Sequence, residues 1–220
     1  SSVYKRQMYF GISGMGAITH TLNVRLHPEQ AVYIINHAED KIIFCELPFV
    51  PILEALKDQL KSVEKYVILC DESEIPETSL ENTISYEEYI KDGDEDYKWP
   101  VLEDDAACAL CYTSGTTGNP KGVLYSHKSN IYHATSAYAA LTIDKDDCIL
   151  MVVPMFHVLA WGIPYFGPMT GNKLVMPGMG MEGDSLYELI DTEGVNSTFG
   201  VPTVWMQLLA YCRENNKVLD

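Results

Sequence analysis

The chain has 220 residues, 47% of them hydrophobic, with a mean hydropathy of −0.05, which excludes a disordered chain and allows a substantial buried core. Its 31 Asp and Glu against 15 Lys and Arg give a net charge of −16 and a pI near 4.6, so it lacks the basic footprint that a nucleic-acid phosphate backbone requires. No stretch approaches the ~18 consecutive apolar residues of a membrane-spanning helix. Residues 1–7 match no structural pattern and read as an extraneous leader running into the tail of a helix, so the expected domain is 8–220. An apolar, Gly-rich stretch covers Tyr9 to Ile18, and Pro28 opens a helix over Glu29 to Glu39. Lys41 to Cys45 reads as a strand. A helix from Phe49 to Lys61 spaces Ile52, Leu53, Leu56 and Leu60 on one face. Tyr66 to Cys70 is the next strand, and Ser85 with Glu88 forms a capping box for a brief helix through Ile90. Ala106 to Tyr112 is an apolar strand, followed by a loop to Gly122, a strand-like run to Tyr125 and a helix from Ser129 to Leu141. Strands follow at Cys148 to Val153, Lys173 to Met176 and Val195 to Phe199, with helices at Leu186 to Asp191 and Pro202 to Arg213. This alternation predicts an α/β fold: a largely parallel β-sheet with flanking helices.

The charge is local. Residues 71–105 hold 14 acidic and two basic side chains, and the other 185 residues are nearly balanced. No motif recruits these carboxylates, so they read as a solvated connection. Asp92, Asp94, Asp96 and Glu103 have calcium-loop spacing, but Tyr97 stands where that loop needs glycine, and Pro100 and Trp99 spoil the rest. The six cysteines lie mostly in apolar, strand-like runs, the pattern of reduced and buried thiols, and the cytoplasm is the expected compartment. Cys108 and Cys111 have redox or zinc spacing, but no second pair exists and positions i and i+3 of a strand face opposite ways, so they read as core. His127 and His133 have no accompanying carboxylate and read as surface. Trp205 reads as core, on the apolar face of the last helix.

The informative string is Tyr112-Thr113-Ser114-Gly115-Thr116-Thr117-Gly118-Asn119-Pro120-Lys121-Gly122. Glycines let backbone N–H groups approach phosphate oxygens, hydroxyls donate further hydrogen bonds, and Lys121 adds a compact positive charge. An ordinary polar turn needs neither four hydroxyls nor the lysine. The nucleotide P-loop pattern fails, because Lys121 is followed by Gly122 rather than Ser or Thr, and then by a strand-like run instead of a helix. A second candidate is His157, beyond a strand and the turn-forming Pro154, where α/β folds place ligands.

The loop resembles the phosphate-binding loop of the adenylate-forming superfamily. Thr21 to Gln30, Ile34 to Asp40, Leu124 to His127, Pro154 to Gly162 and Gly200 to Trp205 are similar to its medium- and long-chain fatty acyl-CoA synthetase branch. The resemblance implies an ATP-dependent acid–thiol ligase that activates an aliphatic carboxylic acid through an acyl-adenylate to acyl-CoA. Methylthio-propionyl- or aryl-CoA ligation, or an inert phosphate-binding fragment, are the alternatives. It implies that Thr113, Ser114, Gly115, Thr116, Thr117, Gly118 and Lys121 hold the departing phosphates, with Thr113 beside Mg2+ and Lys121 and His157 in the catalytic machinery. His157, Val158 and Trp161 would border the acid, Trp161 as the gate of its tunnel. ATP, Mg2+ and CoA are the implied cofactors and substrates, and a homodimer is left open. Family members run well over twice this length. The chain is therefore expected to be a partial N-terminal domain, truncated at both ends, without the C-terminal domain and inactive alone, and its truncation leaves mitochondrial or peroxisomal targeting open.

Overall fold

The computed structural model describes residues 2–113, 118–178 and 180–219, arranged as two compact units. The first comprises Val3–Leu102 and Cys108–Leu124, the second Glu103–Ala107 and Tyr125–Asp220. The fold is α/β with parallel strand pairing, as the alternation predicts. Among the described residues the strands form three three-stranded sheets.

In the first unit the order is α1 (Ser2–Gly14), β1 (Thr19–Thr21), α2 (Pro28–His37), β2 (Ile42–Cys45), α3 (Val50–Leu56), β3 (Lys65–Ile68), β4 (Thr83–Ser85), α4 (Tyr86–Ile90), β5 (Ala107–Thr113) and β6 (Lys121–Ser126). One sheet runs β2-β3-β4, with Phe44 opposite Val67 and Val67 opposite Ile84 in parallel register. Tyr66, Val67 and Ile68 are successively buried, because a parallel strand covered on both faces is an unbroken apolar run. Pro28 occupies the first turn of α2, where its missing N–H costs nothing. The face of α3 differs from the one expected: Val50, Leu53 and Leu56 point inward with Leu60, and Ile52 is exposed. Ser85 Oγ accepts a hydrogen bond of 3.1 Å from the Glu88 amide, closing the N-terminus of α4. Residues 2–7 form the first turns of α1, with the Tyr4 hydroxyl donating to Glu87 and Lys5 paired to Glu46 at 3.1 Å.

The acidic connection is mostly exposed, yet it is fastened to this unit at several points. Glu54 accepts hydrogen bonds from the Thr78 hydroxyl at 2.8 Å and the Ser79 amide at 2.7 Å. The Trp99 ring lies 2.8 Å from where a Cβ on Gly14 would stand, so only glycine lets the indole rest on the end of α1.

The second unit holds α5 (His127–Leu141), β7 (Cys148–Leu150), α6 (Val158–Trp161), α7 (Ile163–Thr170), β8 (Lys173–Val175), α8 (Gly183–Glu193), β9 (Ser197–Thr198) and α9 (Pro202–Glu214). Its sheet runs β8-β7-β9 with both pairs parallel, and central β7 is buried throughout. Leu186, Leu208 and Cys212 cover it with the half-buried Trp205, whose Nε1–H donates to the Gly200 carbonyl at 3.2 Å. A Cβ on Gly183 would lie 2.7 Å from the Gln207 carbonyl, so glycine is what allows α8 and α9 to approach.

All six cysteines are buried, and none is joined in a disulfide. Burial, with smaller contributions from Cys70 and Glu46, pushes the Cys45 thiol from its ordinary 9.0 up to about 12. Cys70 and Cys148 are raised by burial as well. Since only the thiolate is nucleophilic, these three should resist alkylation by iodoacetamide at pH 8 in the native protein and react promptly in denaturant. Peptide mass spectrometry reads the result, and rapid native labelling of Cys45 would contradict this packing. The linkage also has a sign. A folded pKa above the unfolded one stabilises fully below the unfolded value, so the contribution of Cys45 is lost as pH rises from 9.0 toward about 12.

Candidate functional site

In the first unit the candidate is the rim between β5 and β6. Parallel pairing of β1 with β5 sets His20 opposite Leu110 and Thr21 opposite Cys111. His20 Nδ1 lies 2.9 and 2.8 Å from the two Asp40 carboxylate oxygens, and its ring centroid is 5.3 Å from that of Tyr112. The Tyr112 hydroxyl shares a 2.7 Å hydrogen bond with His37 Nδ1, and Tyr33 stacks on His37. Burial first, then the Asp40 charge, raises the Tyr112 phenol above its ordinary range, so it stays protonated through neutral pH. This aromatic and histidine cluster anchors the last residues of β5, and Thr113 follows it, exposed.

Ser114, Gly115, Thr116 and Thr117 lie outside the described residues. The chain is described again at Gly118, whose φ of +102° is a conformation that favours glycine. Lys121 begins β6, exposed, and has no ion-pair partner among the described residues. A Cβ on Gly122 would lie 3.2 Å from both Leu110 Cδ1 and the Tyr112 ring, so glycine lets β6 close on β5 directly beside the lysine.

In the second unit, Ser126 caps α5 reciprocally with Ser129: Ser126 Oγ accepts from the Ser129 amide at 3.1 Å, and Ser129 Oγ accepts from the Ser126 amide at 3.0 Å. Ser126→Ala should lower stability by about 0.5–2 kcal/mol in denaturant titration, the usual loss for an N-cap. An unchanged midpoint would show that this cap carries no weight.

His157, Val158 and Trp161 are brought together on one turn. His157 is exposed and extended, its amide bonded to the Pro154 carbonyl at 2.9 Å. The next four residues, Val158, Leu159, Ala160 and Trp161, all have left-handed φ values of 47°, 51°, 51° and 56°, and Gly162 follows at 79°. Each non-glycine residue held this way costs about 1–2 kcal/mol, so α6 is a left-handed turn held by its surroundings. Leu159 and Ala160 are buried, while Val158 and Trp161 face solvent.

Residues 7–219 match the AMP-binding enzyme family. The chain belongs to that family. Among its relatives is a 3-methylmercaptopropionyl-CoA ligase of Ruegeria lacuscaerulensis, 45% identical over 97% of this chain and 40% of the relative. Another is a medium-chain-fatty-acid–CoA ligase of Ectopseudomonas oleovorans, 46% identical over 93% of this chain and 38% of the relative. The chain thus spans about two-fifths of the length of these AMP-binding enzymes. The fold is also that of the anthranilate CoA ligase AuaEII crystallised with anthranoyl-AMP, with a TM-score of 0.80 and 22% identity, covering 96% of this chain and 40% of that one.

Thr113 ends β5 and Lys121 begins β6 of one sheet, and His157, Val158 and Trp161 share one turn of the second unit. Of the two histidines read as surface, His127 needs correction, being half-buried with its Nε2 buried and unpaired among the described residues, whereas the reading of His133 holds. His133 is exposed, and its Nε2 lies 3.0 Å from the Trp161 carbonyl oxygen. The anchoring cluster of His20, Tyr33, His37, Asp40 and Tyr112 was missed altogether. Its members come from β1, α2, β5 and the loop after α2 and carry no short motif; His37 and Tyr112 alone are separated by 75 positions.

Proposed function

We propose that the complete protein is an AMP-forming acyl-CoA synthetase acting on an aliphatic carboxylic acid. The observation that carries this is Lys121, a cation free of carboxylate partners among the described residues, at the end of a loop of glycines and hydroxyls leaving a buried strand. In the first step a carboxylate oxygen attacks the α-phosphorus of ATP, forming acyl-adenylate and expelling pyrophosphate; in the second, the CoA thiol displaces AMP. Bringing two anions together and releasing a third makes charge neutralisation and positioning the main catalytic tasks. Lys121 supplies the charge to the β- and γ-phosphates, and Thr113, Ser114, Gly115, Thr116, Thr117 and Gly118 supply backbone and hydroxyl donors. His157 contacts the carboxylate and adenylate, and Val158 and Trp161 line the acyl side.

Magnesium fits this loop in a limited way. Among the described residues no group of three His, Cys, Asp or Glu could hold a metal ion, but the exposed Thr113 hydroxyl is an oxygen donor of the kind a hard cation accepts. Thr113 would hold the ion together with the nucleotide's own phosphates, where it supplies further neutralising charge. No helix among the described residues is long and apolar enough to cross a membrane. The buried thiols, none in a disulfide, support a reducing compartment such as the cytoplasm, and light scattering on the complete protein tests a homodimer.

The test is acid-dependent ATP–pyrophosphate exchange on the complete protein, across straight-chain acids of increasing length, 3-methylmercaptopropionate and an aryl acid. The 45% identity to a 3-methylmercaptopropionyl-CoA ligase favours that sulfur-containing acid as the second reading. Absence of exchange with every acid would refute the proposal. The 220-residue chain alone is expected to form no acyl-adenylate in a single-turnover assay, and detectable product would refute that expectation.

A further inference from the structure

We infer that His133 is a positioning residue for the acyl side of the site, holding the left-handed turn α6 in the shape that presents Val158 and Trp161. The inference rests on the reading that those two side chains line the acid. A run of four left-handed non-glycine residues is not stable by itself, so something outside it must hold it. From its own segment the turn is braced by short-range backbone hydrogen bonds, Ala160 N–H to the His157 carbonyl at 3.0 Å and Gly162 N–H to the Leu159 carbonyl at 3.1 Å among them. Burial of Leu159 and Ala160 fixes its inner side.

The outer side is met by α5. His133 Nε2 reaches the Trp161 carbonyl at 3.0 Å, and because a carbonyl oxygen only accepts, Nε2 must carry the proton. The ring is also seated by shape. A Cβ added to Gly162 would stand 2.5 Å from His133 Cδ2 and 2.8 Å from Nε2, so the imidazole occupies the space that any other residue would fill. One side chain therefore bonds the last carbonyl of the turn and packs on the glycine that ends it. Loss of that contact frees the backbone carrying Trp161 while leaving the phosphate loop untouched.

The experiment compares wild type, His133→Ala, His133→Gln and Gly162→Ala in the complete enzyme by acid-dependent ATP–pyrophosphate exchange. His133→Ala is expected to raise KM for the acid about five- to tenfold and to change the order of preference among chain lengths, with KM for ATP unchanged within twofold. Glutamine keeps an N–H at similar reach and should restore KM to within about threefold of wild type. Gly162→Ala displaces the ring and should reproduce the alanine effect, which keeps the inference testable if His133→Ala does not fold. An unchanged acid KM in both disruptive variants overturns it, as does a parallel rise in acid and ATP KM. Failure of the wild-type enzyme to exchange with any acid overturns the ligase reading itself, and this inference with it.

Discussion

Replacing Lys121 by alanine in the complete protein is expected to lower acid-dependent ATP–pyrophosphate exchange by at least about tenfold. The lysine starts β6 at the edge of its sheet, exposed and without an ion-pair partner among the described residues, so its removal breaks no fold contact. What is lost is a charge-assisted contact to a phosphate, worth about 1.5–3 kcal/mol, or roughly ten- to a hundredfold in rate. The thermal midpoint should stay where it was, because surface substitutions away from packing change stability by only about 0.5 kcal/mol. Lys121→Arg keeps the charge but not the compact ammonium geometry, and should recover part of the rate. Unchanged exchange in Lys121→Ala would refute the phosphate role of the loop.

Asp40→Ala is expected to have the largest effect on stability. His20 is nearly buried, its Nδ1 faces both Asp40 oxygens, and its Nε2 is buried without a partner among the described residues. Removing the carboxylate leaves both ring nitrogens unpaired. The cost should be about 1.5–3 kcal/mol, that of a hydrogen bond to a charged group. Asp40→Asn retains one acceptor and should fall between wild type and alanine. Chemical denaturation measures this, and an unshifted midpoint would show that the pair is not a support of the β5 end. The Tyr112 phenol should then titrate closer to its ordinary range, since Asp40 is the second cause of its elevation after burial.

The α/β alternation, the apolar strands and the glycine- and hydroxyl-rich loop were legible because each has a local signal: period, capping residue or composition. Four kinds of feature were not. The helix α7 buries Ile163, Pro164, Tyr165 and Phe166 all round, so it has no polar face to produce helical periodicity, and its Gly167 and Pro168 resemble loop residues. Gly167 is required there, because a Cβ would meet Leu174 at 2.7 Å. Strands β1 and β4 are only three residues long, too short for alternation to register. The site was legible as residue types but not as support. His133 and His20 look like isolated histidines in the chain, and only the fold reveals that one holds a carbonyl and the other a half-buried carboxylate. The left-handed α6 left no trace either, since Val, Leu, Ala and Trp are the residues least expected at positive φ.

That turn also divides its own sequence into letters that can change and letters that cannot. Leu159 and Ala160 are 3% and 0% exposed, so larger, smaller or polar residues there would open a cavity or clash. Val158 and Trp161 project outward from the same rigid pair at 42% and 37% exposure and can be exchanged without disturbing the packing. On the proposal that these two side chains border the acid, substrate range would change through positions 158 and 161 alone, on an otherwise fixed backbone. A library randomised at those two positions, with 159, 160 and 162 held constant, should yield mostly folded variants of altered acid preference.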